Sequence, residues 1–214
     1  MVTSRPTLTV VDHPIVADRV AQLRDPSTGG ADFRRLVREV AEYLTYEATR
    51  DLPTEPVTIR TGLGLDAPGR RVVPPGPVVV PILRAGLGML DGVLAALPNA
   101  EVGVIGLRRD EESFRPVVYA EKLRDDLTGR HAFVIDPMLA TGGSLVAACE
   151  MLTARGVTHL TALALLAAPE GVEHVRASVP SISIYTAALD DGLNERAFIV
   201  PGLGDAGDRL FGPA

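Results

Sequence analysis

HAFVIDPMLATGGS, residues 131–144, is the stretch from which the rest of the chain is read. Phe133, Val134 and Ile135 form a short β-prone run, and Asp136 lies where such a strand would leave a sheet. Thr141-Gly142-Gly143-Ser144 then opens LVAACEMLTAR, residues 145–155, whose apolar residues recur at helical spacing. This order puts backbone N–H groups and two hydroxyls at a helix N-terminus, which holds phosphate without a lysine. Asp136 stands at the level where it can accept hydrogen bonds from sugar hydroxyls or help hold magnesium. A strand, one acid and a phosphate cradle describe a ribose-5-phosphate site. The same residues also describe an ordinary strand-to-helix turn, with a threonine cap and two bend-forming glycines. The stretch is neither a Walker A loop nor G-x-G-x-x-G.

Outward from this point the pattern is regular. VVVPIL (78–83), EVGVIGLRR (101–109), AFVID (132–136), HLTALALLA (159–167) and ISIYTA (182–187) read as strands. AGLGMLDGVLAAL (85–97), the helix from Ser144 to Arg155 and GVEHVRASV (171–179) lie between them, and FRPVVYAEKL (114–123) is a β-prone excursion. Near-continuous apolar strands alternating with helices predict an α/β fold, a parallel twisted sheet with helices on both faces. Ligands of such sheets bind at the carboxyl ends of the strands. Arg84, Arg109 and Asp136 all follow strands and should converge on that edge.

Before this core, Pro14 starts IVADRVAQLRD, a first helix. Phe33, Leu36, Val37, Val40 and Leu44 then mark a long amphipathic one. The expected organisation is a single domain over 1–214: N-terminal helices at 1–52, a β-arm at 53–76, a core with the ligand site at 77–186, and a C-terminal segment at 187–214. The apolar FIV run and GLGDAGDRLFG argue that this last segment is a packed loop.

The 214 residues suffice for one well-buried domain with an appendage. A formal charge of −6 argues against a nucleic-acid or anionic-membrane partner. A polyphosphate ligand would need positive potential concentrated locally, by arginines, helix N-termini or a divalent cation. The single cysteine, Cys149, lies in an apolar helical run and reads as a buried hydrophobe. His13, His131, His159 and His174 fit no metal-ligand spacing. MVTSRPTLTVVDHP has no signal-peptide pattern, and LTALALLAA at 160–168 is too short to span a bilayer, so a soluble cytoplasmic protein is expected.

VIDPMLATGGS resembles the phosphoribosyl pyrophosphate (PRPP) motif of type I phosphoribosyltransferases, in the form found in their uracil branch. LTYEATRDL (44–52), VPILRAGLGMLDGV (80–93), AAPEGVEHV (167–175) and LDDGLNERAFIVPGLGDAGDRLFG (189–212) resemble further blocks of that branch, in its order, over nearly the whole chain. The superfamily motif usually carries two adjacent acids; here the second position is Pro137, as in the uracil branch, leaving Asp136 alone.

The resemblance implies the type I phosphoribosyltransferase fold, with a hood at 187–214 closing over the base. It implies transfer of a ribose 5-phosphate group from PRPP to N1 of uracil, giving UMP and pyrophosphate. Arg84, Arg109 and Asp136 become the catalytic candidates. PRPP would be held by these three with Pro137, Met138, Leu139, Ala140, Thr141, Gly142, Gly143, Ser144 and Asp205. Uracil would be held by Ile199, Gly204, Asp205 and Ala206. Arg84 offers a planar fork to phosphate oxygens, with Gly86 and Gly88 letting backbone approach an anion; Gly202 and Gly204 would do the same at the base. The polar stretch from Arg108 suits a closing lid, with Tyr119 a further contact. Magnesium would arrive with the pyrophosphate, with few protein ligands. GTP is the effector, and a homodimer or larger assembly the oligomeric state, that the resemblance raises. The competing readings are an RNA-binding regulator of the same fold, which should show a basic face, and a phosphoribosyltransferase for another base.

Overall fold

A computed structural model describes residues 8–109 and 116–213. In chain order the elements are β1 (Leu8–Val10), α1 (Pro14–Arg24), α2 (Gly30–Ala48), β2 (Thr54–Arg60), β3 (Asp66–Val72), β4 (Val78–Leu83), α3 (Leu87–Ala96), β5 (Glu101–Val102) and β6 (Val104–Arg109). They continue with β7 (Pro116–Lys122), β8 (His131–Ile135), β9 (Met138–Leu139), α4 (Gly143–Thr153), β10 (His159–Ala167), α5 (Pro169–Ser178), β11 (Ser183–Leu189), β12 (Gly192–Leu193), β13 (Ile199–Val200) and α6 (Ala206–Phe211).

The main sheet runs β1-β11-β10-β8-β4-β6-β7, with β5 added on β4 and β9 on β10. Every pairing in it is parallel except β6 with β7. Because strand side chains alternate, odd and even positions sort into two cores. Val79, Phe133, Ile135, Leu163 and Leu165 face α1, α2, α3 and α6. Val78, Val80, Ile82, Ala132, Val134, Ala162 and Ala164 face α4 and α5. This two-sided burial is why the strands read as continuous apolar runs. On α2 the periodic residues Phe33, Leu36, Val37, Val40 and Leu44 are all buried, each such side chain contributing roughly 1.5–3 kcal/mol. Cys149 is buried between α4 and the sheet, which pushes its thiol up to about 12 and leaves it inert at neutral pH.

Three details differ from the sequence reading. β1 was not expected: three residues carry no period, and the strand exists by edge pairing of Leu8–Val10 with Ile184–Thr186. The β-prone excursion is β7, an antiparallel edge strand of the main sheet. The strand over 101–109 is broken at Gly103 into β5 and β6. β2 and β3 form a separate antiparallel hairpin in the stretch read as an arm. Among the described residues no helix is long and apolar enough to cross a membrane.

Candidate active site

β4, β8 and β6 end side by side, and each gives way to a charged residue at this edge. Arg84 succeeds β4, Asp136 succeeds β8, and Arg109 is the last residue of β6. Two cavities open here. One, of about 130 Å³, is lined by Asp136, Met138, Leu139, Ala140, Thr141, Gly142, Gly143, Ser144 and Leu145 together with Ala162–Ala164 of β10. The other, of about 330 Å³, is lined by Arg84, Ala85, Asp136, Met138, Ala140 and, from the C-terminal segment, Ala197, Phe198, Ile199 and Gly204–Gly207. Asp136 belongs to both walls.

The loop between β8 and α4 has two anchors. Residues 138–139 pair with β10 as β9. Beyond them, Gly142 stands at φ +80° with its carbonyl starting α4, and Gly171 of α5 presses against Ala140. A Cβ on Gly171 would lie 2.1 Å from the Ala140 oxygen, so only glycine fits there. His174 Nδ1 lies 2.7 Å from the Thr141 carbonyl oxygen, a hydrogen bond that pins the loop to α5. No side chain caps α4. The threonine-cap alternative therefore fails, and the first-turn amides lack the hydroxyl acceptor that a cap would supply. This is the arrangement an anion exploits.

Asp136 retains some exposure to the cleft, yet desolvation by the surrounding loop and strands pushes its carboxyl up to about 7. The amide of Met138, donating to it at 3.5 Å, is too long to offset that. A carboxylate in this state is matched to a ligand that brings donors or cationic charge.

On the opposite wall, Asp205 caps α6 by accepting the Asp208 amide at 2.9 Å. Arg84 is exposed at the rim of the larger cavity. The structure thus gathers Arg84, Asp136, Met138, Leu139, Ala140, Thr141, Gly142, Gly143, Ser144, Ile199, Gly204, Asp205 and Ala206 around the two cavities. Pro137 lines neither: it is buried, and its carbonyl accepts the Leu165 and Leu166 amides. Gly88, read as opening backbone to an anion, instead makes room for Leu210 of α6. Tyr119 stands against Gly106 on β7, outside both cavities. Of the stretch 108–118 read as a lid, residues 110–115 lie outside the described residues, while Arg108 and Arg109 end β6 and residues 116–118 begin β7; for Arg109 only the strand position is described. Ala85, Ala197, Phe198 and Gly207 line the larger cavity and were missed; Phe198, a large apolar side chain 43% exposed, is the one whose hydrophobicity could have signalled it. Among the described residues, no three or more His, Cys, Asp or Glu side chains gather as a metal cluster.

Comparison with known proteins decides the family. The uracil phosphoribosyltransferase family model matches residues 10–213. This chain belongs to that family. The proteins of Beutenbergia cavernae and Kineococcus radiotolerans, both named uracil phosphoribosyltransferase, are 55% and 53% identical to it, over 95% and 96% of the chain and 97% and 98% of their own lengths. Among solved structures, the AQ2163 protein of Aquifex aeolicus superposes with a TM-score of 0.91 at 34% identity, over 97% of this chain and 99% of that one. A hypoxanthine-guanine phosphoribosyltransferase of Bacillus anthracis superposes with a TM-score of 0.52 at 14% identity, over 75% of this chain and 80% of its own, which is a likeness of fold alone. The type I phosphoribosyltransferase fold is thus the architecture on which the family's chemistry is carried.

Proposed function

We propose that this protein transfers the 5-phosphoribosyl group of PRPP to N1 of uracil. The bond from the anomeric carbon to pyrophosphate breaks, pyrophosphate leaves with the electron pair, the bond to N1 forms, and N1 gives up its proton. The observation that carries the reading is the carboxylate shared by two cavities, one lined by the glycine-hydroxyl loop of residues 141–144 and one of about 330 Å³ lined by the C-terminal segment. The names of relatives more than half identical over nearly the full length support it.

In this reading the amides of residues 141–144 hold the 5-phosphate, and Asp136 accepts the ribose hydroxyls. Arg84 and Arg109 supply a planar cation to the pyrophosphate oxygens as negative charge gathers there. The oxocarbenium-like anomeric carbon forms between the two cavities, where the hood excludes water that would otherwise hydrolyse it. Backbone groups of Ile199 and Gly204–Ala206 pair the uracil edge. Asp136 would hold a magnesium ion carried with PRPP, since this ion is held by one or two carboxylates with phosphate oxygens, and the ion would supply charge neutralisation at the leaving group. GTP activation rests on the resemblance alone. A homo-oligomer is supported by the apolar Ile59, Leu63 and Leu65 exposed on the β2–β3 hairpin, and a cytoplasmic location by a composition with one buried cysteine.

The test is a panel of bases offered with PRPP and magnesium, read by pyrophosphate release. Uracil should react, and hypoxanthine, guanine and cytosine should not. Turnover of a purine with none of uracil would end this reading.

A further inference from the structure

Asp190, at the end of β11, carries a carboxylate only 4% exposed. It touches neither cavity. Its Oδ2 accepts the Gly202 amide at 2.8 Å and Arg24 Nη1 at 2.8 Å, and its Oδ1 accepts Arg24 Nη2. Arg24 Nη1 also donates to the Gly202 carbonyl at 2.7 Å. Both backbone polar groups of one residue are therefore taken up by one ion pair, whose carboxylate is buried and whose guanidinium is partly open to solvent. Gly202 stands at φ +65°, and a Cβ there would lie 2.1 Å from the Ile199 oxygen, so the turn accepts no side chain. The next carbonyl, of Leu203, accepts Arg209 Nη1 at 3.0 Å. Ile199 lies immediately before this clamped turn and Gly204 immediately after it. The Asp190 amide is itself fixed to the Ala167 carbonyl of β10 at 2.8 Å, so the clamp is referred to the rigid sheet.

Buried ion pairs add little stability over apolar packing of the same shape, because desolvation offsets their attraction. What this pair does supply is direction: it fixes where the Gly202 carbonyl and amide point. We infer that Arg24 and Asp190 are positioning residues for base recognition, holding the 200–203 turn so that Ile199 and Gly204–Ala206 present their backbone groups to uracil in one register. The inference rests on the reading that residues 199–206 hold the base.

The test compares three full-length variants by steady-state kinetics in both substrates, with melting temperatures. Asp190→Asn keeps the shape and removes the charge. Arg24→Lys keeps the charge and removes the fork. Gly204→Ala strains the base loop directly, since its φ is +85° while a methyl there meets open space. The clamp predicts a rise of about tenfold or more in KM for uracil with Asp190→Asn, a smaller rise with Arg24→Lys, and KM for PRPP within about twofold in both. If Asp190→Asn does not fold, Arg24→Lys decides, its site being partly open to solvent. An unchanged uracil KM in the clamp variants, with a raised one in Gly204→Ala, overturns the clamp and leaves the base site standing. An unchanged value in all three overturns both. Loss of activity that merely follows the melting temperature, or KM values rising together for both substrates, reduces the pair to a structural role and overturns the inference.

Discussion

The two walls of the cleft are built on opposite plans. The wall proposed to hold phosphate is local: β8, β9 and the start of α4 succeed one another within residues 131–145, supported by strand pairing with β10 and by Gly171 and His174 of α5. The wall proposed to hold the base is assembled from afar. Arg24 reaches Asp190 and Gly202, Arg34 donates to the Leu210 carbonyl at 2.9 Å, and Arg209 donates back to the Asp25 carbonyl at 2.8 Å while lying 4.1 Å from the centre of the Phe33 ring. A phosphate needs amides in one short arc, which a single loop can provide. A planar base needs a fixed edge, and a segment with so little secondary structure must be held from outside to provide one.

The largest effect should come from the base. Cytosine presents a bare N3 and an amino group where uracil has N3–H and O4, and backbone groups cannot exchange donor for acceptor. Two mismatched buried positions at about 1–3 kcal/mol each correspond to discrimination from about thirtyfold up to roughly 10⁴, the upper end being what sites built on hydrogen bonds reach. 5-Fluorouracil keeps the pairing edge and should react. Cytosine turnover within tenfold of uracil would mean that the hood does not read the base.

Asp136→Asn comes next. Losing a charge-assisted hydrogen bond of about 1.5–3 kcal/mol should lower kcat/KM for PRPP roughly ten- to a hundredfold, with KM for uracil little changed. With the free carboxyl raised to about 7, wild-type kcat/KM for PRPP should fall as pH drops below 7, and the variant should lack that limb. The linkage sign is the reverse for the empty protein. An acid whose folded pKa is raised stabilises the fold below its ordinary value near 4, and that contribution is lost as pH rises through 7. At pH 8 the Asn variant should therefore melt higher than wild type while using PRPP worse; a lower melting point would contradict the buried-charge account.

Gly171→Ala should damage the loop and the fold together. Its methyl would lie 2.1 Å from the Ala140 oxygen, so α5 or the loop must shift to admit it; KM for PRPP should rise about tenfold and the melting temperature should fall. Smallest is His174→Ala. An exposed hydrogen bond to Thr141 is worth about 0.5–1.5 kcal/mol, so a two- to tenfold rise in KM for PRPP, toward the lower end, is expected from the same assay.

This asymmetry also explains what the sequence could reveal. Apolar runs marked the central strands because both faces are buried, and the acid-to-glycine spacing of 136–144 marked the loop lining the smaller cavity because its parts are neighbours in the chain. β1 escaped because three residues owe their strand to a partner more than 170 positions away. Ala197 and Phe198 escaped because their place in the larger cavity depends on the turn at 194–198, where the Asn194 side chain accepts the Phe198 amide at 3.0 Å. Pro137 was drawn in by its neighbours in the motif, but strand pairing with β10 turns its carbonyl into the sheet.

If the carboxyl shared by the two cavities takes part in PRPP binding as proposed, binding becomes an acid–base event. Burial raises the Asp136 carboxyl to about 7, so in the empty protein it holds a proton far more readily than an ordinary carboxyl, and a ligand bringing donors or cationic charge favours the form without it. Binding near neutral pH should then release protons to the buffer, falling toward none by pH 9. Calorimetric titrations in buffers of different ionisation enthalpy count those protons directly, and their disappearance in Asp136→Asn would assign them to this one side chain.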